Sequence, residues 1–194
     1  TFGTIYFNSG GDRLKLTKIN NFGAVGWATL EWSFSGCSNL TIDAEADGGF
    51  GLVTNFSGAW YNCTALTTFP LLDVSSGTDF SYAWGVCNGL TAFPLLDVSS
   101  GTNFSCAWYS CTALIALATG LGLRMGNGTN LTYAFYGTTI NTTDYSQFLI
   151  DLESVNSSSG LSFHGGSSKY NPAGGVARAA LVSRGWTISD GGPV

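Results

Sequence analysis

Cys37, Cys63, Cys87 and Cys111 form an evenly spaced row, the last three 24 residues apart. A row of thiols is the first feature of this chain that could carry chemistry. A zinc or iron–sulfur site needs ligands that converge on one point, whereas residues repeated at a fixed period fall in a line, one per structural unit. Equivalent Cα atoms in neighbouring units would lie roughly 4.8 Å apart, close enough for a disulfide. Their side chains would point in parallel, however, which fits poorly with the ~90° torsion about an S–S bond. The pattern therefore predicts a column of buried free thiols packed as small hydrophobes, with no metal and no cofactor. The fifth cysteine, Cys106, falls in register with Gly58 and Tyr82 instead, and is expected as a free, partly exposed thiol.

Tyr61, Tyr82, Tyr109 and Tyr133 lie close to repeated tryptophan or phenylalanine positions. A ring that ends in a hydroxyl suits contact with a glycan or a protein, so these four are the candidate ligand-binding residues, together with Asp73 and Asp97. The column Phe34, Trp60, Trp84, Trp108 and Phe135 could also serve as a sugar-stacking platform. It shares a helical face with Cys63, Cys87 and Cys111 and with Leu66, Leu90 and Leu114, which assigns these residues to a core ladder; truncating one buried aromatic would cost about 3–5 kcal/mol. Asp73 and Asp97 are equivalent. Either each caps the Ser-Ser-Gly turn that follows it, or the two form an acidic, calcium-assisted contact row. One repeat apart, they do not make the acid and base of a glycosidase cleft. His164 is the single histidine; it stands in Phe-His-Gly-Gly-Ser-Ser with no GxSxG elbow in the chain, and is expected at the end of a strand. No nucleophile, base and orienter come together, so no enzyme is expected.

What must position these residues is a repeat. FPLLDVSSGTDFSYAWGVCNGL (69–90) is followed by FPLLDVSSGTNFSCAWYSCTAL (93–114). Counting back from Phe80, Trp84, Cys87 and Leu90 gives Phe56, Trp60, Cys63 and Leu66, and then Leu30, Phe34, Cys37 and Leu40. Counting forward from Phe104 and Trp108 gives Leu131 and Phe135, with Thr138 in place of the cysteine. Five units thus run over residues 29–140, degenerate at both ends, as terminal units that face water on one side should be.

Within a unit, Phe-Ser-x-Ala-Trp-x-x-Cys-x-x-Leu places apolar residues at the spacing of one face of a short helix. Leu-Thr-x-Phe-Pro-Leu-Leu-Asp suits a short extended segment, and Val-Ser-Ser-Gly-Thr supplies a turn. The prediction is an α+β repeat solenoid of leucine-rich-repeat-like coils of ~24–27 residues. Residues 1–28 are expected as an N-terminal cap, a β-hairpin around Asn8-Ser-Gly-Gly. Residues 141–194 are expected as a C-terminal helix–strand–helix–strand cap, all in one structural domain. Its first helix would use Asp144 and Gln147 as a capping pair; a strand follows at 161–164, then a helix from Asn171-Pro172 to Arg184 stopped by Gly185, then a strand at 186–188.

Composition narrows the functional classes. Apolar residues make up 44% of the chain, enough for one substantial core, and only 10% are charged, against ~25% in an average soluble domain. No Lys or Arg occurs between Lys18 and Arg124, so nucleic acid, anionic membranes and phosphorylated ligands are not expected partners. No run approaches the ~18 apolar residues of a membrane span, and no phosphate-binding glycine loop is present. The abrupt start at Thr1, without a signal peptide, is that of a fragment or a processed product. Eight Asn-x-Ser/Thr sequons, Asn39, Asn55, Asn103 and Asn130 among them, would carry glycans only in a secreting eukaryote.

The AW-x-x-C-x-x-L cores (59–66, 83–90, 107–114) and the FPLLDVSSGT linkers (69–78, 93–102) resemble the BspA-like leucine-rich repeats of bacterial surface proteins. They also resemble the related repeats of bacteriophage tail-fibre and adhesin-like proteins. The stretch LSFHGGSSKYNPAGGVARAALVSRGWTISDGG (161–192) is similar to the segment that closes many such arrays. The resemblance covers residues 29–192 and implies recognition or adhesion outside a cell or on a virion, without a cofactor. The expected function is a non-enzymatic recognition or adhesion module: a receptor-binding or surface-exposed domain of a phage fibre or bacterial adhesin. Its partner would be a cell-surface glycan or protein, with no membrane insertion, and the domain would belong to a larger fibre or oligomeric assembly. The alternative is a structural subunit or decoration protein of an extracellular filament or virion. A third reading is ice binding by Thr54, Thr78, Thr102 and Thr129. Contacts are expected where the copies differ: Tyr82 against Cys106, Gly85 against Tyr109, and Asp79 against Asn103.

Overall fold

Inside each repeat the backbone amides alternate between two kinds of partner, and the alternation decides the architecture. The computed structural model describes residues 4–43 and 49–194. In it, the amides of Ala83, Gly85 and Cys87 close three-residue turns on the carbonyls of Phe80, Tyr82 and Trp84, at 3.1, 3.0 and 3.2 Å. The amides of Phe80, Tyr82, Trp84 and Val86 donate instead to Asn103, Ser105, Ala107 and Tyr109 of the next unit, at 2.8, 2.9, 2.9 and 2.7 Å. The same alternation holds elsewhere: Trp32, Phe34 and Gly36 donate to Ser57, Ala59 and Tyr61, and Cys106, Trp108 and Ser110 to Thr132, Ala134 and Tyr136.

The expected solenoid of leucine-rich-repeat-like coils, each with its own helix and strand, is therefore corrected. Among the described residues the only two α-helices lie beyond residue 140, and the strands amount to three two-stranded parallel pairs. The reason is in the backbone. An α-helix needs right-handed dihedrals at every residue. Each unit instead carries two left-handed positions four residues apart, with φ of 56° at Tyr82 and 60° at Val86, and 56° at Cys106 and 54° at Ser110. Gly58 and Asn62, and Tyr133 and Gly137, repeat the pattern. A chain that reverses its hand this often cannot close i→i−4 bonds, and the amides so released are satisfied by the neighbouring unit.

Strand β1 (Lys18–Ile19) pairs in parallel with β2 (Thr41–Ile42), and β3 (Ala92–Phe93) with β4 (Ala116–Leu117). The N-terminal hairpin is not formed. Asn8 and Ser9 do turn, at φ of 42° and 59°. Phe7, Asn8 and Ser9 then donate to the carbonyls of Ser33, Trp32 and Ser35, not to a returning strand. The first unit has no unit before it to supply donors, and this segment takes that role.

The inward side chains stack along the repeats. Phe34, Trp60, Trp84, Trp108 and Phe135 are fully buried, with successive ring centroids 6.5, 5.9, 5.5 and 4.7 Å apart and ring planes nearly parallel. Phe56, Phe80 and Phe104 make a second stack at 5.3 and 5.5 Å. Phe69 and Phe93 stand edge-on to Trp60 and Trp84, at 4.8 and 4.7 Å. The indole N–H groups of Trp60, Trp84 and Trp108 are buried without a hydrogen-bond acceptor, a cost that ring burial must outweigh. Leu66, Leu90 and Leu114 are buried in the same cluster, which extends from Phe22 to Ile188. The thiols of Cys63, Cys87 and Cys111 donate to the carbonyls of Phe34, Trp60 and Trp84, one unit back, at 3.2, 3.1 and 3.0 Å.

Beyond residue 140 follow α1 (Thr142–Val155), β5 (Ser162–His164), α2 (Pro172–Ser183) and β6 (Thr187–Ser189), with β5 and β6 parallel. Asn141 caps α1 by accepting from the Asp144 amide at 3.0 Å. The Asp144 carboxylate accepts from Asn141 Nδ2 at 2.8 Å and from the Leu117 amide at 3.0 Å. The capping partner of Asp144 is thus Asn141; Gln147 donates to Asp151 at 2.7 Å. Asn171 caps α2, with Pro172 in its first turn. The Phe135 amide donates to the His164 carbonyl at 2.9 Å, so β5 stands where a sixth unit would.

Trp84→Ala should lower unfolding stability by about 3–5 kcal/mol, read from the urea midpoint. Val86→Gly should raise the thermal midpoint, because a β-branched residue in the left-handed region costs about 1–2 kcal/mol that glycine avoids. A lower midpoint for Val86→Gly would show that this turn is held without strain.

Candidate functional site

Two positions of each unit lie outside the core stacks: the left-handed residue x and the residue y that follows the core aromatic, in the pattern Phe-Ser-x-Ala-Trp-y. From the first unit to the fifth, x is Trp32, Gly58, Tyr82, Cys106 and Tyr133, and y is Ser35, Tyr61, Gly85, Tyr109 and Tyr136. The glycines make room for rings. A Cβ on Gly58 would come within 2.3 Å of the Trp32 ring, and one on Gly85 within 3.0 Å of the Tyr61 ring. Trp32, Tyr61 and Tyr82 consequently form one cluster, with centroids 5.7 Å (Trp32–Tyr61), 6.1 Å (Trp32–Tyr82) and 6.0 Å (Tyr61–Tyr82) apart. A second cluster is built from Tyr109 stacked on Tyr136 at 5.2 Å, Tyr133 against Tyr136 at 5.7 Å, and His164 against Tyr136 at 4.9 Å.

Cys106 stands where the row between these clusters carries no ring. A groove of about 500 Å³ opens there, lined by Tyr82, Cys106, Tyr109, Tyr133 and Tyr136. Tyr82, Tyr133 and Tyr136 are 38%, 50% and 42% exposed, whereas Cys106, expected to be partly exposed, is buried at 7% beneath these rings. The Cys106 thiol beside the Tyr82 hydroxyl is the largest cause holding the phenol above its usual pKa. Tyr82 and Tyr133 keep left-handed backbones, and Gly58 holds the same row at φ 60°. Glycine would therefore fit, and each tyrosine costs about 1–2 kcal/mol of backbone strain. Tyr82 packs on Trp32 and Tyr61, and Tyr133 on Tyr136, yet a third or more of each residue stays at the surface.

The groove thus gathers Tyr82, Tyr109 and Tyr133 from the tyrosines expected to bind ligand. Tyr61 lies beside it, packed over Gly85. Tyr136, Trp32 and His164 were not foreseen; Tyr136 is the counterpart of Tyr109 one unit on, and Trp32 the counterpart of Gly58 one unit back. Asp73 and Asp97 are not brought to the groove. Each accepts through Oδ1 from the amide and hydroxyl of the serine two residues on, at 3.2 and 2.7 Å in both cases. The Ser99 hydroxyl is the main cause holding the Asp97 carboxyl below its usual pKa, with Arg124 nearby at 3.6 Å. Asp79 and Asn103 close turns by accepting from the Ser81 and Ser105 amides at 2.8 and 3.1 Å. In the threonine row, the hydroxyls of Thr78, Thr102 and Thr129 donate to the carbonyl of the threonine before, at 3.2, 3.2 and 3.3 Å. Their protons are therefore engaged within the fold.

Among the described residues no group of three or more His, Cys, Asp and Glu is placed to hold a metal ion, and no helix is long and apolar enough to cross a membrane. Comparison of the chain with protein-family models, curated proteins and solved structures gives no match.

All five cysteines are free. Burial pushes the Cys37 thiol up to about 11 and the Cys111 thiol to about 12, and raises Cys63 and Cys87 as well. Thiols held in the protonated form react slowly. Iodoacetamide at pH 8 should therefore label Cys106 first on the native protein, and all five cysteines only after unfolding. Mass spectrometry showing equal native labelling of Cys87 and Cys106 would contradict the buried column.

Proposed function

We propose that this chain is a non-enzymatic recognition module acting outside a cell or on a virion, and that the tyrosine groove is its contact surface. The observation that carries the reading is the groove itself. Four tyrosines converge around a small residue, two of them on strained backbones that glycine would occupy more easily. Exposed, contiguous aromatic surface with hydroxyl rims suits recognition. A concave site lined by rings and a few polar groups is the usual form of a binding pocket. Weak single contacts would gain strength from several copies in one assembly.

A structural role in an extracellular filament or virion is the second reading. Leu52, Leu71 and Leu95, exposed outside the groove, favour it as apolar surface suited to lateral packing.

The two readings separate in one set of measurements. Purified protein should be retained on bacterial cell envelopes, and Tyr82→Ala combined with Tyr109→Ala should weaken retention by about tenfold or more without moving the thermal midpoint. Retention unchanged in the double variant would remove the groove as the contact surface. Light scattering that shows self-association of the double variant at about micromolar concentration would favour the filament.

A further inference from the structure

The aromatic groove does not end at Tyr133. A second depression, of about 150 Å³, shares that ring where the last repeat meets β5 and β6. Its walls include the hydroxyl-bearing residues Thr132, Ser162, Thr187 and Ser189, and the His164 ring stands 6.0 Å from that of Tyr133. No Asp, Glu, Lys or Arg lines either depression among the described residues. His164 adds no charge near neutral pH: burial pushes its pKa below the usual value, and its Nδ1 accepts from the Gly166 amide at 3.1 Å.

Resting on the reading of the groove as a contact surface, we propose that the two depressions are adjoining subsites for an uncharged oligosaccharide that passes over Tyr133. The C–H faces of a sugar ring carry slight positive charge and pack on the negative faces of aromatic rings. Sugar hydroxyls exchange hydrogen bonds with phenols in the first subsite and with Ser and Thr in the second. A carboxylated or sulfated sugar would surrender hydration of its charge and meet no cation in return. The dimensions agree. Residues two units apart are separated by roughly 10 Å at the spacing of paired strands, so Tyr82 and Tyr133 bracket about one sugar ring. An extended peptide fits less well, because strand addition needs free backbone groups. The amides of Tyr82 and Cys106 are already given to Ser105 and Thr132.

The test titrates the whole chain with cellotetraose, maltotetraose and mannotetraose, and with trigalacturonate and sialyllactose as charged comparators, by calorimetry and saturation-transfer NMR. At least one neutral tetrasaccharide should bind with Kd at or below about 1 mM. Its disaccharide should bind about tenfold more weakly, and the charged sugars should not bind. Cys106→Tyr places at 106 the residue that Tyr82 and Tyr133 carry on the same left-handed backbone; it should fold, fill the first subsite and abolish binding, while Cys106→Ser binds as before. Thr187→Tyr, at an exposed position of β6, should reduce the tetrasaccharide to the affinity of the disaccharide. The proposal is overturned if no neutral sugar binds at about 10 mM, if a charged sugar binds more tightly, or if both filled variants bind unchanged. Envelope binding lost in the Tyr82/Tyr109 double variant without any sugar binding would end the saccharide inference and leave recognition standing, with a protein as partner. Envelope binding that survives the double variant, again without sugar binding, would end both.

Discussion

The rest of the structure depends on where alternate backbone amides go. A helix satisfies its amides internally, and a strand gives them all to its neighbours. This chain divides them: one amide closes a short turn within the unit, and the next crosses to the following unit. The division needs left-handed residues at regular places, and it fixes the spacing between units tightly enough for tryptophan to lie flat on tryptophan. Buried amides left without partners would cost more than the strain, so the ladder is retained even where Val86 must adopt a glycine-like conformation.

That ladder separates what the interior requires from what the exterior displays. Phe, Ala, Trp and Cys of each unit are held inward by turn geometry, and their replacement disturbs every neighbour in the stack. The x and y positions take no part in the stacks, which leaves them free to hold Trp, Gly, Tyr, Cys or Ser. Rings settle over the glycines of adjacent units, so the surface is built by complementation between rows. The groove exists because at Cys106 that complementation stops.

The columns of core residues were legible in the sequence, because a fixed period marks equivalence whatever the backbone does between repeats. The start of α2 was legible at Asn171-Pro172, where cap and first-turn chemistry coincide. The conformation within a unit was not. Apolar residues at i, i+4 and i+7 belong equally to a helical face and to consecutive turns with alternating hand. The discriminating signal was the glycine and asparagine at Gly36, Gly58, Asn62 and Gly137, which recur where other units hold Tyr, Val or Ser. The hairpin reading failed for a related reason: Asn8 and Ser9 do turn, but the open carbonyls of the first unit decided what Phe7, Asn8 and Ser9 would pair with. Of the groove, Tyr82, Tyr109 and Tyr133 could be read from the columns. Tyr136 was legible on the same ground, since it follows Phe135 as Tyr109 follows Trp108. His164 could not, since it reaches the aromatic row from outside the period.

The hydrogen-bond ladder has a direction. Across the Phe-Ser-x-Ala-Trp turns each unit sends amides forward and presents carbonyls backward, whereas the amides of Thr78, Thr102, Ile115 and Ala118 donate to the unit before. The turn row therefore has two chemically different ends, like the plus and minus ends of a polymer. The carbonyl end is covered by residues 7–9, and the amide end finishes on the His164 carbonyl. Neither terminal piece can replace the other. An interior unit, by contrast, offers its predecessor the same acceptors that it finds in its successor. A duplication in frame with the period therefore creates no new kind of interface, and the array can lengthen by copying while its two ends stay as they are.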